Sequence, residues 1–266
     1  LSRHNVATYY GVANNLIMIP GADPVFHSFK YWTIWTGINV EARGFEENLK
    51  RIPGSAVVIC NHQSVVDVVV MTRVWPPRCT VMMKESLKYI PFFNLTSIFV
   101  SYVPSLFLFS VEQNNLSLFI VLANAIFVKG FKRGQVSGTV EQCVKKMKKY
   151  NLKVKAIWIF PEGARSHNDG MLPFKKGAFN IAVRGGFPIV PIVLSNYRPF
   201  YSKSDCYFTN DGEVIAQVLN PISTKELTEE DVPELSQKVR SMMLEVYYDI
   251  SKEAAEKMRR KRQQLS

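Results

Sequence analysis

The order of apolar segments predicts an α/β fold with a mostly parallel sheet flanked by helices. Three short runs, Ala56 to Cys60, Ala156 to Phe160 and Pro188 to Leu194, are rich in β-branched or aromatic residues and carry no charge. Runs of that length and composition read as strands buried on both faces. Each run stops at a polar motif, and an amphipathic helical segment lies between the first two. Strands alternating with helices call for a parallel sheet with helical crossovers.

Taken in chain order, residues 5–22 are uncharged but interrupted by Gly11, Asn14, Asn15 and Pro20, so a membrane-spanning helix and a membrane-surface helix both fit them. Leu1 in place of Met leads us to expect that the native chain starts earlier. After the first strand, Ile90 to Val111 has no acidic or basic residue, and beyond Glu112 the chain is again uncharged to Val128. That stretch meets the roughly 20 residues a spanning helix needs, although Pro91, Asn94 and Pro104 suit a buried or re-entrant hairpin equally. From Ser137 to Tyr150, Val140, Cys143, Val144 and Met147 share one helical face and lysines the other. From Val232 to Met258, Leu235, Val239, Met242, Met243, Val246 and Tyr247 mark a C-terminal amphipathic helix, followed by a basic tail, Arg259 to Arg262. No repeat or low-complexity linker divides the chain. The expected organisation is an N-terminal membrane-associated helical segment, 1–43, and one domain, 44–266, with an apolar insertion near 100–122.

Composition narrows the partners. Hydrophobic residues make up 47% of the 266, aromatics 12% and charged residues 21%, with mean hydropathy near zero. This is the apolar edge of globular composition and excludes a disordered chain. The net charge of +11 attracts anionic lipid surfaces, phosphorylated metabolites or nucleic acid. Lys145, Lys146, Lys148 and Lys149 carry no stacking aromatic pattern or nucleic-acid module with them, so nucleic acid ranks last. Cys60, Cys79, Cys143 and Cys206 never form CxxC, which argues against a disulfide framework or a zinc knuckle and for reduced thiols facing the cytosol.

The chemistry gathers at two strand ends. In Asn61-His62-Gln63-Ser64-Val65-Val66-Asp67, a histidine able to take a proton near neutral pH stands close to a carboxylate that can fix its tautomer and stabilise its imidazolium. A purely structural His–Asp pair fits the same spacing. In Phe160-Pro161-Glu162-Gly163-Ala164-Arg165-Ser166, Arg165 offers a planar, permanently charged fork for phosphate. Glu162 could accept hydrogen bonds from substrate hydroxyls, orient Arg165, or form a plain salt bridge with it. Ligands of open parallel sheets lie outside the carboxyl ends of strands, so His62 and Arg165 should share one crevice. There is no GxSxG elbow, P-loop, GxGxxG or HExxH, which speaks against a serine acyl-enzyme and against P-loop, dinucleotide-binding and zincin sites. Cys60 ends an apolar strand and reads as a small core residue. A base without a protein nucleophile points to direct attack by a substrate hydroxyl.

NHQSVVD resembles the NHxxxxD motif, and FPEGARS the FPEGTRS motif, of the glycerophospholipid acyltransferases, specifically the 1-acylglycerol-3-phosphate acyltransferases. The similarity continues through Met171 to Phe179 and Pro188 to Val193 and covers most of the chain from Gly44 to the C-terminal helix. It implies that His62 is the general base for the free hydroxyl of lysophosphatidic acid and that Asp67 supports it. Acyl-CoA is then the donor and co-substrate, with no metal and no other cofactor. Asn61, Glu162, Gly163 and Arg165 are implied to contact substrate. The family's phosphate-binding Asp-Arg pair is replaced by Lys129-Gly130, which passes the acceptor charge to Lys129, Lys132 or Arg133. The stretch between Leu87 and Ile126 is also longer than the family's usual spacing. Membrane lipids are the implied partners, and the expected location is the endoplasmic reticulum membrane with the site open to the cytosol. An acyltransferase for another acceptor, or an impaired lipid-binding homologue, are the alternatives.

Overall fold

The computed structural model describes residues 30–31, 33–50, 52–84, 126–128, 136–149, 156–166 and 169–265. Among them, seven strands make one sheet: β1 (Asn39–Arg43), β2 (Ala56–Cys60), β3 (Cys79–Lys84), β4 (Ile126–Val128), β5 (Ala156–Ile159), β6 (Ile189–Leu194) and β9 (Glu213–Val218), in the spatial order β1-β9-β6-β2-β5-β3-β4. A two-stranded hairpin, β7 (Tyr201–Ser202) and β8 (Tyr207–Phe208), stands outside it. The described helices are α1 (Asp67–Met71), α2 (Val136–Lys149), α3 (Gly177–Gly185) and α4 (Val232–Leu265).

Strands β2, β5 and β6 are buried at every position, because alternate side chains feed two separate layers. On one face Val57, Ile59, Ile157, Ile159, Ile189 and Val193 pack with Val140, Cys143 and Met147 of α2, Phe179 of α3 and Met243 of α4. On the other, Val58, Cys60, Trp158, Val190, Ile192 and Leu194 pack with Val70 and Met71 of α1 and with Phe200. Each fully buried aliphatic side chain contributes roughly 1.5–3 kcal/mol, so the strands that carry the polar motifs are the most firmly held part of the molecule.

Pairing is parallel from β6 through β2, β5 and β3 to β4, as the apolar runs predict. β9 departs from this pattern and pairs antiparallel with β6. After Leu194 the chain turns back through the β7–β8 hairpin without a crossover helix, and a parallel return would need one. β1 then adds in parallel to β9, with Asn39 opposite Glu213 and Arg43 opposite Gln217.

Three expectations change. The sheet begins at Asn39, so the segment 1–43 contributes an edge strand to the domain. Ile126–Val128, the end of the long apolar stretch, is a sheet strand paired with β3. The basic run Arg259 to Arg262 is the continuation of α4, which extends to Leu265. Two of its cations have partners at the start of β9: Lys261 reaches Glu213 at 2.7 Å and Arg262 reaches Asp211, just before the strand, at 3.0 Å. Higher on the helix Glu253 takes both ends of the Arg43 guanidinium, at 2.8 and 2.5 Å, and Lys257 bonds Glu41. Hydrogen bonds from these cations hold the Glu253 and Asp211 carboxyls down at about 2. Among the described residues no helix is long and apolar enough to cross a membrane. Residues 1–29, the stretch 90–125 with the insertion near 100–122, and Lys129, Lys132 and Arg133 lie outside the described residues.

Candidate active site

The parallel register sets Ile59 of β2 opposite Ile159 of β5 and Cys60 opposite Ile192 of β6. The chain therefore leaves all three strands at one edge, the edge where parallel sheets hold ligands. His62 emerges from β2 beside Phe160 from β5, and the two rings stack with centroids 4.1 Å apart.

His62 Nδ1 lies 2.6 Å from Asp67 Oδ2. The same oxygen accepts the backbone N–H groups of Gln63 at 2.9 Å and Ser64 at 3.1 Å. An oxygen already receiving two amides acts as an acceptor toward the ring as well. The proton of neutral His62 therefore sits on Nδ1, and Nε2 is left as the basic atom. Asp67 is 1% exposed, whereas the His62 side chain keeps 21%. A buried carboxylate thus backs an imidazole that still reaches the surface.

Side-chain bonds to the backbone hold this turn in place. Asn61 caps the β2–β6 ladder: its Nδ2 donates to Leu194 O at 3.0 Å and its Oδ1 accepts Leu194 N at 2.8 Å. Glu162, 3% exposed, accepts His62 N at 2.8 Å on one oxygen and Leu172 N at 2.7 Å on the other. Burial pushes its carboxyl above the usual range, against the pull of those two amides. Ser166 N donates to His62 O at 2.8 Å, so His62 is pinned through both its amide and its carbonyl. Gly163 takes a left-handed φ of 66° in the turn closed by its N–H to Phe160 O; a Cβ there would collide with the Lys175 side chain.

The turn after β2, with Asn61, His62 and Asp67, and the turn after β5, with Glu162, Gly163 and Arg165, are bonded together through Glu162 and Ser166, but the structure redistributes their roles. Asn61 and Glu162, expected on substrate, each use both ends of the side chain on backbone groups. Glu162 makes no salt bridge with Arg165, which is exposed. Gly163 serves the turn. Burial, with the Asp67 and Glu162 charges adding to it, pushes the Cys60 thiol up, which keeps it protonated and fits its reading as a core residue. Among the described residues no three His, Cys, Asp or Glu side chains gather as metal ligands would.

Beside the dyad is an open cleft between the His62–Asp67 turn and the β7–β8 hairpin, lined by Gln63, Ser64, Ser166, Tyr197, Arg198 and Lys203 among others. Gln63 Nε2 ties the two walls, donating to Leu194 O at 3.2 Å and Ser195 O at 3.0 Å. Sequence reasoning stops at His62 and Arg165 and passes over Tyr197, Arg198 and Lys203. The available signal is positional: they follow the third apolar run, at the same strand edge.

Comparison with known proteins places these features in a lineage. The chain matches the acyltransferase family over residues 40–106 and 108–195. A Caenorhabditis elegans protein named putative 1-acyl-sn-glycerol-3-phosphate acyltransferase acl-2 is 44% identical over 254 residues, 93% of this chain and 80% of its own. The Saccharomyces cerevisiae 1-acyl-sn-glycerol-3-phosphate acyltransferase is 37% identical, over 80% of this chain and 61% of its own length. The Homo sapiens 1-acyl-sn-glycerol-3-phosphate acyltransferase alpha is 36% identical, over 81% and 66%. The crystal structure of the 1-acyl-sn-glycerophosphate (LPA) acyltransferase PlsC from Thermotoga maritima superposes with a TM-score of 0.58 over 84% of this chain and 77% of that one; at 22% identity the likeness is one of fold.

Proposed function

The chain belongs to the acyltransferase family, and from that membership we propose that it moves a fatty acyl group from acyl-CoA to the free hydroxyl of 1-acylglycerol 3-phosphate, lysophosphatidic acid, giving phosphatidic acid. The acceptor is the one in the names of the relatives just described. The single observation that carries the chemistry is the dyad: Nδ1 of His62 against a buried Asp67 at 2.6 Å, with the other ring nitrogen left to meet a substrate hydroxyl.

In this reading Nε2 takes the hydroxyl proton as the oxygen attacks the thioester carbonyl. The imidazolium is stabilised by Asp67 while the tetrahedral oxyanion forms. Collapse expels the CoA thiolate, which recovers the proton from Nε2, so the products are the new ester and the free thiol. No protein nucleophile is needed, in keeping with a protonated Cys60. The exposed guanidinium of Arg165 and the cations of the neighbouring cleft, Arg198 and Lys203, supply charge for substrate phosphates, together with Lys129, Lys132 and Arg133 from sequence. Both substrates carry acyl chains whose extraction from a bilayer costs about 0.8 kcal/mol per CH₂. Work at a membrane avoids that cost, and a net charge of +11 favours an anionic leaflet. The endoplasmic reticulum, with the site facing the cytosol, is the location this reading assigns.

The test is an acyl-transfer assay of the purified chain with labelled oleoyl-CoA against lysophosphatidic acid, glycerol 3-phosphate and other lysophospholipids. Labelled phosphatidic acid as the main product is expected. Preference for another acceptor, or no transfer to any, would overturn the assignment.

A further inference from the structure

Only one of the two Asp67 oxygens is accounted for. Oδ2 gathers the imidazole and two amides, whereas Oδ1 is buried with no hydrogen-bond partner. A buried polar atom left this way keeps its full desolvation penalty. Among the described residues three buried side-chain donors are in the same state: Arg73 Nε, Trp158 Nε1 and the Tyr197 hydroxyl. The Asp67 charge acts on Tyr197, second only to burial in pushing the phenol well above its usual range.

Gln63 ties the segment that carries Tyr197 to the Asp67 turn. Gln63, whose amide serves Asp67, sends its side chain to the carbonyls of Leu194 and Ser195, two residues short of Tyr197. Gln63, Ser64 and Tyr197 then line the same cleft. Tyr197 is 2% exposed and packs on Phe200, with ring centroids 5.8 Å apart. A phenylalanine would fill that place equally well, so the oxygen needs a polar reason to be there.

We propose that Tyr197 is a positioning residue of the acyl-transfer site, its hydroxyl donating to Asp67 Oδ1 in the working enzyme. The inference rests on the acyltransferase reading above and deepens it. With Oδ1 held from one side and Oδ2 by the Gln63 and Ser64 amides, the carboxylate cannot rotate away from His62. The phenol also draws off part of the carboxylate charge, which lowers the proton affinity of the imidazole behind which it stands. The other titratable groups facing the pair are Cys60 from β2 and Tyr247 from α4, both pushed up by burial, and Glu162 from the turn after β5.

Tyr197→Phe tests this by removing one oxygen. We expect kcat to fall about tenfold, the equivalent of one hydrogen bond to a charged group, with KM for both substrates unchanged. The acidic limb of the kcat–pH profile should move to higher pH, because an unscreened Asp67 favours the imidazolium. In an Asp67→Asn background the same change should cost nothing further. The titration of His62 followed by NMR without substrate should rise in parallel; this readout distinguishes failure of the proposal from failure of the acyltransferase reading, since it needs no turnover. If Tyr197→Phe does not fold, fluorotyrosine placed at 197 makes a stronger donor of nearly the same volume and should move both readouts to lower pH. An unmoved acidic limb and an unmoved His62 titration would overturn the proposal, as would a full additional loss in the Asp67→Asn background.

Discussion

Replacing Asp67 by Asn keeps the size of the side chain and removes both its charge and one acceptor. Three donors now converge on Oδ2: His62 Nδ1 at 2.6 Å, Gln63 N at 2.9 Å and Ser64 N at 3.1 Å. With the amide oxygen in the Oδ2 place all three donors keep their acceptor, and the new NH₂ takes the buried Oδ1 place, which has no hydrogen-bond partner. The tautomer is kept and the charge behind the ring is lost. The opposite amide orientation would turn the NH₂ toward all three donors and leave two buried backbone N–H groups without an acceptor, at about 1–3 kcal/mol each. Loss of the charge-assisted bond to the imidazolium alone is worth about 1.5–3 kcal/mol, or roughly 10- to 150-fold in rate. With the tautomer kept, that loss of charge sets the expected fall in kcat. KM for acceptor and donor should change little, because neither substrate touches a carboxylate that is 1% exposed. The assay is initial-rate formation of labelled phosphatidic acid by folded variant protein, with His62→Ala and the double variant alongside. The double variant should be no worse than His62→Ala, since the two residues act as a unit. Retention of more than about a third of kcat by the Asn variant, or losses that multiply in the double variant, would refute the dyad.

Glu162→Gln should lower stability by about 1–3 kcal/mol, because one of the two backbone N–H groups it now accepts is left facing an NH₂; thermal melts check this, and an unchanged midpoint would show that Glu162 does not hold the turn. Arg165→Lys keeps the charge and loses the fork, so KM for the phosphate-bearing acceptor should rise several-fold with kcat and donor KM nearly constant; a rise confined to the donor would move Arg165 to the CoA site. The Glu253 and Asp211 carboxyls, held at about 2 by Arg43 and Arg262, contribute stability that is present above their ordinary values of 4.5 and 3.8 and lost as pH falls toward 2. These pairs are partly exposed and each is worth no more than about 1 kcal/mol, so Arg262→Gln should shrink the acid destabilisation slightly and leave stability differences at pH below 2 near zero.

What the sequence disclosed was local or positional. The dyad spans a short stretch and follows an apolar run, so both its spacing and its place at a strand end are legible in the order of residues. The meeting of the two motif turns, through Glu162 and Ser166 on the His62 backbone, follows from the strand-end rule for parallel sheets. The roles of Asn61 and Glu162 are hidden because their partners, Leu194 for one and His62 with Leu172 for the other, are not their neighbours along the chain. A polar side chain inside a motif looks like a substrate contact until its burial is known. The direction of β9 is hidden for a related reason: alternation and apolarity mark a strand but carry no sign for its pairing. Arg259 to Arg262 look like a solvated tail because they have no apolar face. Lys261 and Arg262 find Glu213 at the start of β9 and Asp211 just before it, about fifty residues earlier.

The arrangement also explains why so many polar atoms near the base are directed inward. A hydroxyl can hand its proton to Nε2 only from within hydrogen-bond reach, and a misplacement of about 1 Å can cost roughly a hundredfold. His62 sits on a turn after a strand, where backbone freedom would ordinarily exceed that tolerance. Its amide is fixed by Glu162, its carbonyl by Ser166, its ring by Asp67 and by stacking on Phe160. The turn itself is tied to β6 through Asn61 and Gln63. Every one of these bonds exists before substrate arrives, so none has to be made during the reaction. Asp67 is withheld from water while His62 is not, and the attraction between carboxylate and imidazolium appears only once the proton has moved. An interaction that switches on with charge development, in a pocket of low effective dielectric, stabilises the transition state more than the ground state. On the proposed reading, catalysis at this site depends as much on the burial of Asp67 as on the basicity of His62.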